Sequence, residues 1–392
     1  MKNRIIHSLA LGALLAAGAA QAAGPLYLTE GTNPQPLRWD TGNGPIPVWT
    51  DGGNAYSYQE DGVTPFVSIE RANEVTAWAF AQWSNVATST FAAEVAGTIE
   101  SQTGIADVTA ANAEDIYFVE NGYGFWVLYD SDGSILEDYF GVSKDAVLGI
   151  AFPEFGNEEN EIIEATAVLN GYFVWADDAN IERQAGVFTH EFGHAINMAH
   201  SQTNGQLAYY SYPFPGSELY PGVPGCGVDP VVRPDYGYYG LPTADPADIE
   251  TMYPFIDTRS VAGVEQSSVE HPDDVASISF LYPTEEYLAT RGSISGVLRL
   301  KDGTTEYSGI NVIARNVDNP LKDAVSGMAG MLTQGQVGPD GHYVINNLTP
   351  GEQYVVYIEE IVAGGFSTPA TRQQSPRLVV PDCSQPGSKL AS

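Results

Sequence analysis

The chain has 392 residues, with 16 Lys and Arg against 49 Asp and Glu, for a formal net charge of -33. Hydrophobic residues make up 43 % and aromatics 11 %, which is enough for a real core and excludes global disorder; the length allows two domains, at most three. A phosphate backbone or an anionic lipid surface would repel so acidic a chain, which argues against nucleic-acid and membrane-surface roles.

Residues 1–22 read as a secretory signal peptide. Lys2 and Arg4 precede a short apolar run, and Ala20-Gln21-Ala22 is a small-residue cleavage site. The run is short and Ala/Gly-rich for a membrane span, and no later stretch is long and apolar enough for one. An exported soluble protein, extracellular or periplasmic and without membrane insertion, is therefore expected. Cys226 and Cys383 either form a disulfide or remain two thiols, since spacing does not establish proximity.

Residues 23–36 form an N-terminal extension within a Pro-, Gly- and Asn-rich opening, and Ile46 to Trp49 is a first strand candidate. From Ile69 to Val86 the apolar residues Val75, Trp78, Ala79, Trp83 and Val86 fall at helical spacing, predicting an amphipathic helix packed on a sheet. Residues 115–119 predict a strand, and 124–129 with 134–140 predict a hairpin about Asp130-Ser131-Asp132-Gly133. Two more strands are predicted at 146–152 and 162–169, then a helix at about 181–198. Residues 205–247 are a long Tyr-, Pro- and Gly-rich stretch of the kind that is usually functional. A short helix at 272–281 carries Pro272 near its start and Asp273 and Asp274 in its first turn, and Tyr282-Pro283 ends it. The composition shifts near residue 290. The runs 293–300, 309–315, 342–348 and 353–361, with turns at Asp302-Gly303, Asp340-Gly341 and Pro350-Gly351, predict a small β-sandwich over 289–366, followed by a tail over 367–392.

The chemistry concentrates at residues 190–200, His190-Glu191-Phe192-Gly193-His194-Ala195-Ile196-Asn197-Met198-Ala199-His200. Histidines four apart share one helix face and can bind one metal, with Glu191 pointing into the same site. A straight helix would turn His200 away. A break at Asn197 brings it back as third ligand, since Asn tolerates the left-handed backbone next best after Gly. Three imidazoles leave an open coordination position, as a catalytic zinc site requires. A chance match on an ordinary helix would have to place three of the chain's six histidines at this spacing.

The segment resembles the extended zinc motif of metzincin peptidases, HExxHxxGxxH followed by a Met-turn. Ser201 after the third histidine and Thr251-Met252-Tyr253-Pro254 resemble the matrixin branch; Asp273 to Ile278 with Leu281-Tyr282 resembles its last catalytic-domain helix. Leu37-Arg38-Trp39 and Ala79 to Ser84 resemble its opening strand and first helix, and the likeness is nearest to bacterial secreted members. The resemblance implies an α+β fold: a metzincin-type catalytic domain over 37–288, with a mixed five-stranded sheet and three helices, followed by the small all-β sandwich. It implies one catalytic Zn²⁺ held by His190, His194 and His200, Met252 beneath the site, and Glu191 as general base in hydrolysis of extended protein or peptide substrates. It also implies that the strand at 162–169 is the edge that pairs with substrate and that 205–247 walls the pocket. A monomer is expected. A secreted adhesin or binding protein with a silent site is the alternative; retention of Glu191 argues against it.

Asn197 departs from the family's Gly. No histidine of the mature chain precedes His190, so the family's structural zinc is not expected. An inhibitory cysteine before the catalytic domain is lacking; Pro224-Gly225-Cys226-Gly227-Val228 echoes that motif after the zinc helix. Asp130-x-Asp132-Gly133-x-x-x-Glu137 reads either as a Ca²⁺ loop or as a turn with solvated acids. Glu154, Glu158, Glu159 and Glu161 are a second acidic cluster, and His271 and His342 read as surface or hinge residues. The β-rich region resembles the carboxypeptidase regulatory-like, transthyretin-like module through Ile294 to Val297, Gly309 to Val312 and Gly341 to Gly351.

Overall fold

In the computed structural model, residues 4–5, 24–29, 35–56, 67–117, 119–172, 182–201, 203–205, 246–254, 266–333, 336–337 and 341–359 are described. The fold is mixed α+β. Five strands, β1 (Ile46–Thr50), β2 (Ala93–Thr98), β3 (Gly124–Asp130), β4 (Gly149–Gly156) and β5 (Glu161–Asn170), lie in the order β2-β1-β3-β5-β4. β1 is parallel to β2 and β3, and β3 to β5, whereas β4 runs antiparallel beside β5. Arg38–Trp39 pairs in parallel with the start of β5, and Arg4–Ile5 pairs antiparallel with Gly156 and Phe155 of β4.

Strand β3 shows why the sheet lies inside. All seven of its residues are buried. Phe125, Val127 and Tyr129 enter one core cluster while Trp126 and Leu128 enter another, the period of two expected of a strand covered on both faces. The first cluster lies under helices α1 (Ile69–Ser84) and α3 (Glu182–Ala195). Ser68 caps α1 by accepting from the Arg71 amide. One face of α1 then buries Val75, Ala79, Phe80 and Trp83, and Phe80 stacks on Phe192 of α3 at 4.0 Å between ring centroids. Short helix α2 (Ile99–Thr103) lies between α1 and α3 in chain order, and short helix α5 (Glu285–Thr290) follows α4 (Pro272–Leu281), which starts with proline as expected.

The C-terminal part is antiparallel β: β6 (Gly292–Val297), β7 (Asn311–Asn316), β8 (Ala324–Met328), β9 (His342–Leu348) and β10 (Tyr354–Glu359). Sheet β8-β7-β10 faces the pair β9-β6, with Met331–Thr333 and Gln336–Val337 as a further hairpin. Val312, Ala314, Val325 and Ile345 fill its core together with Ala276 of α4, so the β-sandwich is built onto α4.

Three expectations fail. The described residues of 115–119 form no strand; a 3₁₀ turn at Ala113–Asp115 leads into Ile116 and Tyr117, both fully buried against the second face of the sheet. Residues 134–140 do not return as a hairpin. The Asp130 carboxylate accepts from the Ile135 and Leu136 amides and starts a helical turn over Ile135–Tyr139 instead. Residues 162–169 lie in β5, inside the sheet between β3 and β4; on that side the outermost of the five strands is β4, which pairs along its outer edge only with Arg4–Ile5. Cys226, Cys383, most of 205–247, residues 6–23 and the tail lie outside the described residues. No helix among the described residues is long and apolar enough to cross a membrane.

Phe80→Ala removes one ring of the α1–α3 stack and leaves a cavity, with an expected cost of about 3–5 kcal/mol. Urea unfolding of the two proteins measures it.

Candidate metal centre

Helix α3 presents His190 and His194 on one face because they are a turn apart. The helix then stops at Asn197, whose φ is 82°. The Asn197 amide donates to the His194 carbonyl and the Met198 amide to the Gly193 carbonyl, the paired bonds of a Schellman ending with asparagine in the left-handed position. The remaining carbonyls of the last turn are also satisfied: Trp39 Nε1 donates to the Ala195 oxygen and the Tyr282 hydroxyl to that of Ile196. The chain reverses and carries His200 back to the helix face.

The three imidazoles converge. Nε2 of His194 lies 3.1 Å from Nε2 of His190 and 3.2 Å from Nε2 of His200. His190 Nδ1 donates to the Thr251 carbonyl at 2.7 Å, and His194 Nδ1 to the Met198 carbonyl at 2.8 Å. A neutral imidazole whose Nδ1 carries the proton has a bare lone pair on Nε2. The short contact between His190 and His194 is therefore lone pair against lone pair, not a hydrogen bond. Burial keeps the rings neutral, holding His190 down to about 4 and His194 to about 3, with His200 also well below its ordinary value. Three neutral nitrogen donors at this spacing fit one divalent cation bound at about 2.0–2.1 Å, with a fourth position open. Among the described residues no other group of three His, Cys, Asp or Glu is placed to hold a metal.

Glu191 follows His190 on the helix and is buried, which pushes its carboxyl up to about 8. Gly149, at the start of edge strand β4, makes room for it: a Cβ there would fall 2.6 Å from Glu191 Cγ. Met252 is fully buried beneath α3, and a Cβ on Gly193 would fall 2.2 Å from its sulfur, so any other residue there would displace the methionine. The Thr251 and Met252 amides both donate to Asp274 of α4, which fixes the carbonyl that orients His190.

Asn197 does more than end the helix. Its side chain accepts from the Tyr27 amide and donates to the Tyr27 and Leu37 carbonyls. Residues 24–27 thereby lie as a strap along 197–199, with Leu26 donating to the Asn197 oxygen and Ala199 to that of Gly24. Glycine would make the turn but not the stitch. Sequence spacing pointed to the break at Asn197 and missed the stitch. Gly149 and Gly193 were missed as well; an isolated glycine at a strand start and one inside a helix motif are the only signals they leave.

Several of the other acidic residues hydrogen-bond within the chain. Both Asp130 oxygens cap amides, and Asp132 caps Ser134. Glu154 accepts from Thr166 inside the fold, and Glu161 from Asn157 Nδ2. His271, expected at the surface or at a hinge, is buried and donates from Nε2 to the Ala247 carbonyl; His342 is exposed. Tyr253 is buried.

The chain matches no family model, and comparison with curated proteins and with solved structures found no match.

Asn197→Gly keeps the left-handed turn and loses three hydrogen bonds, at an expected cost of about 1–3 kcal/mol. Asn197→Ala adds roughly 1–2 kcal/mol of backbone strain; urea titration of both variants orders them. A histidine with a depressed folded value gives stability that is lost as pH falls below its unfolded value near 6.5. With metal chelated, wild type should therefore lose stability relative to His190→Gln, by roughly 3 kcal/mol between pH 6.5 and 4, in paired denaturation curves.

Proposed function

We propose that the protein is a secreted zinc endopeptidase of the metzincin, matrixin-like kind that hydrolyses extended peptides. The observation that carries this reading is the convergence of bare Nε2 lone pairs in a buried site beside a glutamate. Such a placement is repulsive unless a cation lies among the rings, and three imidazoles with an open position favour zinc. The order of elements, the left-handed turn before the third histidine and the methionine under the helix agree with the resemblance carried by residues 190–201 and 251–254.

A zinc ion so held supplies Lewis acidity. The chain's own groups do the rest. Glu191 accepts a proton from the attacking water and returns it to the leaving amine as the C–N bond breaks. Its buried surroundings favour the neutral acid, and a nearby cation favours the carboxylate, so the group is suited to both halves of the transfer. The substrate lies antiparallel along the outer edge of β4, which passes Glu191 at Gly149. Arg4 and Ile5 pair with that edge in the same sense at Phe155 and Gly156, the mode of strand addition by which a sheet edge binds extended peptides. The leader at residues 1–22 directs export.

Mature wild type and Glu191→Ala are compared on a mixed peptide library, with and without chelator, with zinc content measured on both. Wild type is expected to cleave, chelation to abolish cleavage, and Glu191→Ala to retain zinc while losing roughly 100- to 10,000-fold in rate. Equal zinc and no cleavage by either protein would instead mean either a site blocked by Cys226 or another segment of the chain, which Cys226→Ser tests, or a metal-containing binding protein.

A further inference from the structure

His190 and His194 are placed by a helix, but His200 is placed by the loop that follows it. That loop is held both from within the α/β layer and from the β-sandwich. Ser201 donates its amide to the Met252 carbonyl and its hydroxyl to Asp273 of α4. The same Asp273 carboxylate accepts from the Ser326 amide at 2.8 Å and the Ser326 hydroxyl at 2.6 Å, both on β8 of the β-sandwich. Two residues beyond Ser201, the amides of Thr203, Asn204 and Gly205 all donate to the buried Glu250 carboxylate. On the opposite side of the loop, Arg315 of β7 donates to the Thr203 carbonyl at 3.0 Å and to Asn204 Oδ1 at 2.7 Å.

Arg315 is 1 % exposed. Its guanidinium also reaches the Pro320 carbonyl and the Tyr357 hydroxyl, so these four acceptors are neutral. A guanidinium taken out of water onto neutral oxygens carries a large desolvation cost, and an apolar side chain of similar volume would serve simple packing as well or better. What arginine adds is direction: one rigid fork fixes two positions of the loop at once. The surroundings repeat the arrangement, with Asn204 Nδ2 donating to the Leu321 carbonyl and Lys322 pairing with Asp248 at 2.7 Å.

We infer that the C-terminal β-sandwich is a working part of the metal centre, with Arg315 and Ser326 acting as positioning residues that hold the Ser201–Gly205 loop and so set the approach of His200 to the other two imidazoles. The inference rests on the reading that the three histidines bind a metal. Residues that orient ligands from behind typically alter metal affinity about 10- to 100-fold when removed. Merely lowering the stability of a well-folded protein leaves the affinity of its folded state unchanged.

The test uses the full mature chain, and the readout is the Zn²⁺ dissociation constant from competition with a chelating dye, alongside urea unfolding. Arg315→Met keeps volume and removes the fork; Arg315→Lys keeps the charge; Ser326→Ala removes one donor and retains the Ser326 amide, so it keeps the test alive if Arg315→Met fails to fold. Ile345→Val, fully buried in the β-sandwich core away from the loop, controls for stability alone. The expected result is about 10- to 100-fold weaker zinc binding in Arg315→Met, a smaller loss in Arg315→Lys and Ser326→Ala, and wild-type affinity in a destabilised Ile345→Val. Wild-type affinity in both Arg315→Met and Ser326→Ala, or in Ser326→Ala and Arg315→Lys if the methionine variant does not fold, would overturn the inference and leave the metal site standing. A wild type that binds no zinc would remove the metal reading itself and this inference with it.

Discussion

A left-handed residue at the end of α3 decides where the third imidazole goes. With φ at 82°, Asn197 turns the chain back on the helix that carries His190 and His194. Without that reversal, His200 would continue away from the helix face and the two remaining donors would form an incomplete site. The turn is tolerated because every group around it is used. The last helix carbonyls find Trp39 and Tyr282, the Met198 carbonyl takes the His194 proton, and the asparagine amide is shared between Tyr27 and Leu37. Local strain at one residue is thus held in place by bonds drawn from the first, middle and last parts of the α/β layer.

The chain's acidity has an interior counterpart. Asp51, Asp130, Glu164, Glu250 and Asp274 are buried, and each gathers two or more backbone amides that no strand or helix would otherwise satisfy. Here carboxylates do for loops what the hydrogen-bond ladder does for strands. Burial raises several of them, Asp51 to about 6 and Glu164 to about 7. The surface excess of negative charge and these internal clamps are separate uses of the same residue types.

Much of this was legible in the sequence where a single period dominates. The helix face of Val75, Ala79 and Trp83, the proline-led helix at 272–281 and the two histidines one turn apart all follow from spacing. The strand at 162–169 was legible as a strand but not as an interior one, because period and composition do not say which edge is free. Residues 115–119 and 134–140 misled for a related reason. Short apolar runs look alike whether they end in a ladder or fold under a cap, and the Asp130 cap that decides the second case is a side-chain bond. The clamp from Arg315 to Asn204 joins residues 111 apart and leaves no local pattern at either end.

That separation has a consequence in time. A chain made from its N-terminus has all three histidines of the site by residue 200, yet the arginine that donates to the loop after His200 follows only at 315. Closing so long a span is slow compared with forming the helix that carries the first two ligands. The centre therefore matures in two stages, an early helical half and a late half that waits for nearly the whole polypeptide. Chains that are cut short or still emerging carry the motif without the finished pocket.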